Sequence, residues 1–333
     1  MSTGAYAGST PPHRIDVHHH IVPPDYREAI QRAGLSTPIP GVRFPAWDVE
    51  STLAMMDRQG IAAAITSIAE PGVYVGDIAV ARDLARQCNE FSARLISDHP
   101  RGRFGALAVL PLPDVEAALR ELEYALDTLK LDGVTLLSNY RGVYLGDDAF
   151  DALFAELNRR RTPVFIHPST PAGHELPTFG YPVALYEFTF DTTRMVAHLL
   201  YSGTLDRYPD LRLILSHAGG TVPFLAYRLS LGPRLGLVAN PRTPQDVMAA
   251  LRRLYYDTAT SATPYALSSL QVLADPSHVL FATDWPFLPE QLVAETVAGL
   301  AEYDGFDQEA RLLIERENAA GLFPRVRVLA PQH

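Results

Sequence analysis

The sequence predicts an α/β fold in which eight parallel strands close into a (β/α)8 TIM barrel, a single domain with long loops after its strands. Eight short runs rich in β-branched residues alternate with longer segments of helical periodicity, which is the pattern of a parallel barrel. No GxGxxG motif follows the first run, so the alternative, a doubly wound open sheet, is less favoured. We therefore expect residues 1–333 to form one barrel domain, with residues 1–13 as a flexible N-terminal tail.

The predicted strands are bounded by turn residues and by helical segments. In chain order they are RIDVH (14–18), AAAITSI (62–68), FGALAVL (104–110), GVTLLS (133–138), PVFIH (163–167), RLILSH (212–217), LYYDTA (254–259) and VLFATD (279–284).

The segments between these strands repeat apolar residues at helical spacing, and several open with Asp or Thr, which are favoured N-caps. The clearest are DVESTLAMMDRQG (48–60), DVEAALRELEYALDTLK (114–130), DDAFDALFAELNRRR (147–161) and TTRMVAHLLYSGTLDRYP (192–209). Two proline-rich segments, 35–47 and 167–188, are expected to be long loops near the carboxyl ends of strands, where barrel active sites are assembled.

Composition excludes several classes of protein. The net charge of −10 argues against a nucleic-acid or anionic-membrane partner. The N-terminus lacks a signal-peptide pattern and no run is long and apolar enough to span a membrane, so we expect a cytoplasmic protein. Cys88 is the only cysteine, which excludes an intramolecular disulfide and a thiolate metal cluster.

Polar residues lie at the carboxyl end of several predicted strands. In the first strand, His18 and His20 are two residues apart and share a face, while His19 points to the other side. His167 ends the fifth strand and Asp284 the eighth. Taken singly, each would be read as a solvated or structural rim residue. Together, three imidazoles and one carboxylate suit one divalent metal ion, Zn²⁺ in first place and Mn²⁺ in second. His217, at the end of the sixth strand, is then the candidate acid/base residue.

The sequence resembles the amidohydrolase superfamily over nearly its whole length. Four stretches resemble its mononuclear, nonhydrolytic decarboxylases, the branch of α-amino-β-carboxymuconate-ε-semialdehyde decarboxylase and the salicylate-type decarboxylases, 6-methylsalicylate decarboxylase included. They are IDVHHHIVP, FIHP, DTTRMVAHLLYSGTLDRYPDLRLILSHAGGTVPFL and VLFATDWPF.

The resemblance implies metal ligands at His18, His20, His167 and Asp284 and a catalytic histidine at His217. It also implies a homodimer, because Arg228 matches a position that can contact the substrate carboxylate from a neighbouring subunit. One departure is Gly220, where some resorcylate-type relatives carry Glu, so a proton relay through that Glu is absent.

The implied activity is release of CO₂ from a small-molecule carboxylic acid, either an aromatic ortho-hydroxy acid such as 6-methylsalicylate or a related muconate semialdehyde. His217 and Asp284 are the candidates for proton transfer. Two alternatives stay open: a mononuclear hydrolase of a lactone or amide that uses the same ligands, and a non-catalytic barrel that binds a small molecule.

One metal is expected rather than two. Binuclear members of the superfamily bridge two metals with a carbamylated lysine at the end of the fourth strand, where this chain has Ser138 and Asn139. The sole lysine, Lys130, precedes that strand and is expected at the opposite end of the barrel, in solvent.

Four further residues are candidates for substrate binding. Arg43 and Arg228 could each bind a carboxylate through a bidentate pair of hydrogen bonds, although most arginines are simply solvated. Trp285 could stack on a planar substrate or belong to the core, and His174 lies in the long loop after the fifth strand.

Overall fold

The computed structural model describes residues 13–171, 177–239 and 242–329. Its main sheet has eight strands, all of them paired in parallel and neighbouring one another in chain order, which confirms the predicted (β/α)8 barrel. The strands are β1 (Arg14–His20), β2 (Ile61–Ser67), β3 (Phe104–Val109), β4 (Gly133–Leu137), β5 (Pro163–His167), β6 (Arg212–Leu215), β7 (Tyr255–Asp257) and β8 (Val279–Leu280).

Hydrogen bonds between β1 and the chain beyond β8 close the barrel. The backbone N–H of Val17 donates to the carbonyl of Phe281 at 3.1 Å, and that of Asp284 donates to the carbonyl of His18 at 2.8 Å. His19 and Trp285 form a further parallel bridge. The eighth strand is thus shorter than the predicted segment 279–284, but its extension still pairs with β1 and places Asp284 beside the histidines of that strand.

Helices surround the barrel, and their bounds are α1 (Pro24–Arg32), α2 (Val49–Arg58), α3 (Ile78–Asp98), α4 (Val115–Glu123), α5 (Asp151–Arg160), α6 (Glu187–Tyr201), α7 (Thr204–Arg207), α8 (Val222–Ser230), α9 (Pro244–Arg252), α10 (Pro264–Leu273), α11 (Glu290–Glu302), α12 (Gln308–Leu312) and α13 (Asn318–Leu322). The expected N-caps are present in α2 and α4, where the carboxylates of Asp48 and Asp114 accept from backbone N–H groups.

The predicted helix over 192–209 is instead two helices. Gly203 has a φ of 80°, a left-handed conformation that a continuous helix does not contain, and it separates α6 from α7. A small antiparallel hairpin, Asn139–Tyr140 with Val143–Tyr144, follows β4.

The hydrophobic core has two main parts. The larger part fills the layer between the barrel and the helices, and the smaller part fills the barrel itself. The barrel interior contains strand residues such as Val17, Phe165 and Leu280, and it is continued by Phe323 and Val326 of the C-terminal segment. This segment therefore packs against the end of the barrel opposite to the carboxyl ends of the strands.

The predicted tail, residues 1–13, lies outside the described residues except for His13, which is anchored by a contact of 2.6 Å between its Nε2 and Glu315 Oε2. Among the described helices, none has the length and apolar character needed to cross a membrane.

Candidate metal centre

The first strand brings two of its three histidines together. Nε2 of His18 and Nε2 of His20 are 2.9 Å apart, whereas His19 lies on the other face and its Nδ1 is 2.9 Å from Asp16 Oδ2. All three rings are fully buried. Because side chains alternate along a strand, His18 and His20 face the site and His19 faces Asp16 on the other side.

Two other elements complete the cluster. His167 ends β5, and its ring centroid is 5.0 Å from that of His20. Asp284 follows β8, and its Oδ1 is 3.3 Å from Nε2 of both His18 and His20. One donor atom from each of His18, His20, His167 and Asp284 lies within 4.8 Å of the others, so the structure gathers the four expected ligands at one point.

The second nitrogen of each histidine has its own partner. Nδ1 of His18 is 2.7 Å from Asp257 Oδ2, Nδ1 of His20 is 3.0 Å from Ser67 Oγ, and Nδ1 of His167 is 2.7 Å from the carbonyl oxygen of Pro168. When these Nδ1 atoms carry the proton, each Nε2 presents a lone pair to the cluster. Such partners on the outer nitrogen are typical of metal-binding histidines, and the donor set fits one divalent cation.

The electrostatics of the cluster differ from one histidine to the next. Burial disfavours charged imidazoles, lowering the pKa of His20 to about 4 and that of His167 well below its usual value. Burial also lowers the pKa of His18, but the carboxylates of Asp284 and Asp257 outweigh it and raise that pKa to about 10. A divalent cation would compete with the proton that these carboxylates hold on His18, so its binding would release protons.

His217 lies beside this cluster without belonging to it. Its Nε2 is 3.5 Å from Oδ2 of Asp284, the carboxylate oxygen other than the one that faces His18 and His20. Its Nδ1 is buried and has no hydrogen-bond partner among the described residues. Asp284 can therefore face a metal with one oxygen and exchange a proton with His217 through the other.

Both members of this pair have strained backbones. His217 has a φ of 54° and Asp284 a φ of 62°. This left-handed region of backbone conformation costs free energy for any residue that has a Cβ atom.

The neighbouring Gly220 has a φ of 64°, and a Cβ there would lie 2.2 Å from the carbonyl oxygen of Thr189. A glutamate at this position would require the backbone to shift, so the structure agrees with the absence of that relay.

Asp257 was missed by the sequence analysis. It ends β7, is fully buried, and accepts from Nδ1 of His18 and from the backbone N–H of His217, each at 2.7 Å. One carboxylate therefore orients a predicted metal ligand and the predicted acid/base residue together. The sequence carried a signal for it, because Asp257 lies within the predicted segment LYYDTA as a carboxylate in an otherwise uncharged run, but its side chain contacts His18 and not the other three expected ligands.

A cavity of about 570 Å³ opens above the cluster. His167, His217 and Asp284 contribute to its lining, together with the hydroxyl residues Thr189, Thr260 and Ser261. Most of the remaining wall is apolar: Ile39, Val42, Ala69, Pro182, Ala184, Leu185, Phe188, Phe287 and Leu288. The cavity thus combines a polar floor with apolar sides, which suits a planar, mostly apolar ligand that carries a polar group at one end.

The residues expected to bind substrate do not lie together at the cavity. Arg43 and Arg228 are exposed, and neither belongs to the described lining of the cavity. Trp285 packs against the core and its indole N–H donates to Thr52 Oγ1 at 3.2 Å, which corresponds to the core alternative. His174 lies outside the described residues.

The end of β4 is occupied by Ser138 and Asn139 and has no lysine. Ser138 and Asn139 are buried there, and both donate to Asp191 rather than to the histidine cluster. Lys130 is exposed, and its carbonyl accepts from Arg325 near the amino ends of the strands. Within the described residues, no lysine lies at the metal cluster.

Known proteins are similar to this chain over nearly its whole length. The amidohydrolase family model matches residues 15–325. The 6-methylsalicylic acid decarboxylase of Penicillium expansum is 38% identical over 94% of this chain and 97% of that protein. A solved amidohydrolase structure is similar with a TM-score of 0.86 at 30% identity, covering 93% of this chain and 99% of that one.

A second solved structure shows how far the fold extends. It is 5-carboxyvanillate decarboxylase from Novosphingobium aromaticivorans, complexed with manganese, with a TM-score of 0.82 at 24% identity, covering 94% of this chain and 96% of that one. The family model spans nearly all of the described barrel, including every residue of the metal cluster. This chain therefore belongs to the amidohydrolase family.

Proposed function

We propose that this protein is a metal-dependent, nonhydrolytic decarboxylase that releases CO₂ from an aromatic ortho-hydroxy acid, 6-methylsalicylate being the first candidate. The observation that carries the proposal is the four-donor cluster at the floor of a largely apolar cavity, with the His217–Asp284 pair beside it. The relative from Penicillium expansum, named for 6-methylsalicylic acid, supports the same substrate.

The cluster residues hold the reactive end of the substrate. A divalent cation held by His18, His20, His167 and Asp284, with Zn²⁺ proposed first and Mn²⁺ second, would supply positive charge for the carboxylate and the adjacent hydroxyl. The apolar side walls, with Phe188 and Phe287 at 5.7 Å and 5.5 Å from the rings of His167 and His20, enclose the aromatic ring. They also exclude water from the reacting carbon.

Proton transfer is assigned to His217 and Asp284. The pair delivers a proton to the ring carbon that bears the carboxylate, which gives the electrons of the carbon–carboxylate bond a place to go. That bond then breaks, CO₂ leaves, and the electron pair restores the aromatic ring. Water later returns the proton to the pair. A positioned acid of this kind contributes about 10²- to 10⁴-fold in rate.

The apolar wall favours an alkyl substituent on the ring. Ile39, Val42 and Phe287 belong to one apolar cluster in which the loop after α1 packs against the loop before α6. A methyl group gains from contact with such a wall, whereas a second hydroxyl would lose hydrogen bonds to water there. We expect 6-methylsalicylate to be preferred over 2,6-dihydroxybenzoate by about 10- to 200-fold in kcat/KM.

We also propose a homodimer that works in the cytoplasm. Helix α8 carries Phe224, which is 82% exposed, and Tyr227, which is 73% exposed, next to Arg228. A second copy that covered this helix would remove both rings from water. It would also bring Arg228 close to the substrate site of the neighbouring subunit. Light scattering on the wild type and on Phe224→Asp is expected to show a dimer and a weakened dimer.

The reaction itself is tested in D₂O. The metal-loaded protein is expected to convert 6-methylsalicylate to CO₂ and 3-methylphenol, with one deuterium at the carbon between the hydroxyl and methyl groups. 2-Methylbenzoate, which lacks the hydroxyl, serves as the matched control and is expected not to react. Absence of CO₂ release from 6-methylsalicylate, together with transfer of ¹⁸O from labelled water into the acid formed from a lactone or amide, would instead establish a hydrolase.

A further inference from the structure

The chain that follows the expected ligand His167 is held by a buried network that reaches the metal cluster only at the backbone of His167. The backbone N–H of Ser169 donates to Ser138 Oγ at 2.9 Å and lies 3.2 Å from Oδ2 of Asp191. The backbone N–H of Ser138 in turn donates to the carbonyl of His167 at 2.9 Å. The backbone is thereby fixed on both sides of Pro168.

Asp191 is the centre of this network. It lies in α6, is fully buried, and accepts from the hydroxyls of Ser138 and Tyr144, the latter at 2.6 Å, and from the side-chain amide of Asn139 at 3.3 Å. Among the described residues, no arginine or lysine is paired with its carboxylate. A buried carboxylate is costly without hydrogen bonds, and here the donors come from the end of β4, the hairpin after it and the chain beyond His167.

The peptide group between Pro168 and Ser169 connects this network to the metal site. Its N–H points to Ser138 and Asp191, and its carbonyl oxygen is 2.7 Å from Nδ1 of His167. Because a peptide group is planar and trans, fixing the N–H also fixes the direction of the carbonyl on its other side. That carbonyl holds the proton on Nδ1 of His167 and leaves Nε2 free for a metal.

We propose that Ser138 and Asp191 are positioning residues that set the ring orientation and the protonated nitrogen of His167 through the Pro168–Ser169 peptide. This gives a role to the DTT stretch that begins at Asp191, and it rests on the metal centre proposed above. Neither residue belongs to the described lining of the cavity, and among the described residues neither is hydrogen-bonded to His18, His20 or Asp284, so their effect on a metal is expected to pass through His167.

Two variants separate positioning from general support. Ser138→Ala and Tyr144→Phe each remove one hydroxyl that donates to Asp191, but only Ser138 also accepts from the N–H of Ser169. Tyr144→Phe is therefore the matched control. The measurements are the Zn²⁺ dissociation constant of the metal-stripped full chain, by competition with a chelator, and the urea midpoint of unfolding.

We expect Ser138→Ala to weaken Zn²⁺ binding by about 10- to 100-fold, the range found when an outer partner of a metal ligand is removed. Tyr144→Phe is expected to bind Zn²⁺ like the wild type, although both variants lose a buried hydrogen bond and unfold at lower urea concentration. Asp191→Asn, which keeps the size of the side chain but removes an acceptor, is expected to weaken Zn²⁺ binding as Ser138→Ala does.

Each other outcome would overturn the positioning role or the metal centre. Wild-type affinity in both Ser138→Ala and Asp191→Asn, or equal weakening in Ser138→Ala and Tyr144→Phe, would overturn the positioning role while the metal centre stands. A wild-type chain that binds no Zn²⁺ would overturn the metal centre and the positioning role together.

Discussion

The two ends of the barrel differ in the groups that surround their carboxylates. At the amino end, the carboxylate of Glu315 is paired with His13 at 2.6 Å and with Arg14 at 2.8 Å, and Asp132 is paired with Arg325 at 2.9 Å. At the carboxyl end, His18, His20, His167 and Asp284 turn their donor atoms toward one another. At the amino end the carboxylates are paired mainly with arginine, whereas at the carboxyl end four donor atoms converge in a way that suits one divalent cation.

The amino end of the barrel serves stability, and the carboxyl end serves function. The amino end is covered by the C-terminal segment, whose Phe323 and Val326 complete the barrel core. The carboxyl end holds the strained residues His217 and Asp284 and the cavity. We therefore expect changes at the amino end to alter the free energy of unfolding, and changes at the carboxyl end to alter metal binding and turnover.

His167→Ala is expected to have the largest effect at the carboxyl end. It removes one of four ligands, so the purified variant should lose its metal and more than about 10⁴-fold in turnover, beyond what one acid/base residue supplies. The fold should survive, because the ring lies at the end of β5 and not inside the barrel. Elemental analysis and circular dichroism check both points.

The matched control for this variant is His278→Ala. His278 precedes β8 at the opposite end, where its ring stacks on Tyr255 at 4.7 Å. It is expected to keep metal and activity. Unfolding of His167→Ala would show that the end of β5 is part of the structural core, against the comparison drawn here.

His217→Ala is expected to keep its metal and lose about 10²- to 10⁴-fold in turnover, because this residue serves proton transfer and not coordination. Metal content and steady-state rates measured on the same preparation test this. A metal content as low as that of His167→Ala would assign His217 to the ligand set instead.

Phe323→Ala tests the amino end. The ring is fully buried in the barrel core, so its loss should cost about 3 to 5 kcal/mol in the free energy of unfolding. Zn²⁺ affinity, measured at a temperature where the variant stays folded, should match the wild type. A loss of affinity would mean that the two ends are coupled.

Lys130→Arg is expected to have the smallest effect. The side chain is exposed and the charge is kept, so stability should change by less than about 0.5 kcal/mol, and decarboxylation and metal content should not change. Loss of activity together with half of the bound metal would indicate a carbamylated lysine and a binuclear centre.

The sequence predicted the barrel and the metal cluster because both follow from short-range periodicity. Alternation along β1 separates His18 and His20 from His19, and parallel strands bring residues at their carboxyl ends to the same edge. Asp257 follows the same rule, but its contacts with His18 and His217 depend on how neighbouring strands are staggered, which periodicity does not give.

Long side chains and contacts between distant elements were harder to predict. Arg43 and Arg228 have flexible side chains, so their positions in sequence do not fix where the guanidinium lies, and as substrate anchors they remain proposals. The link from Asp191 to Ser138 joins α6 to the end of β4 across 53 positions of the chain. Such a contact becomes visible only after the helices have packed on the barrel.

The proposed function requires one divalent cation at the carboxyl end of the barrel. Calorimetric titration of the metal-stripped wild-type chain with Zn²⁺, repeated in buffers of different ionisation enthalpy, measures both the stoichiometry and the protons released. We predict about one Zn²⁺ per chain with net release of protons, because four ligands converge and the proton on His18 must leave. Two tightly bound ions per chain, or none, would contradict it.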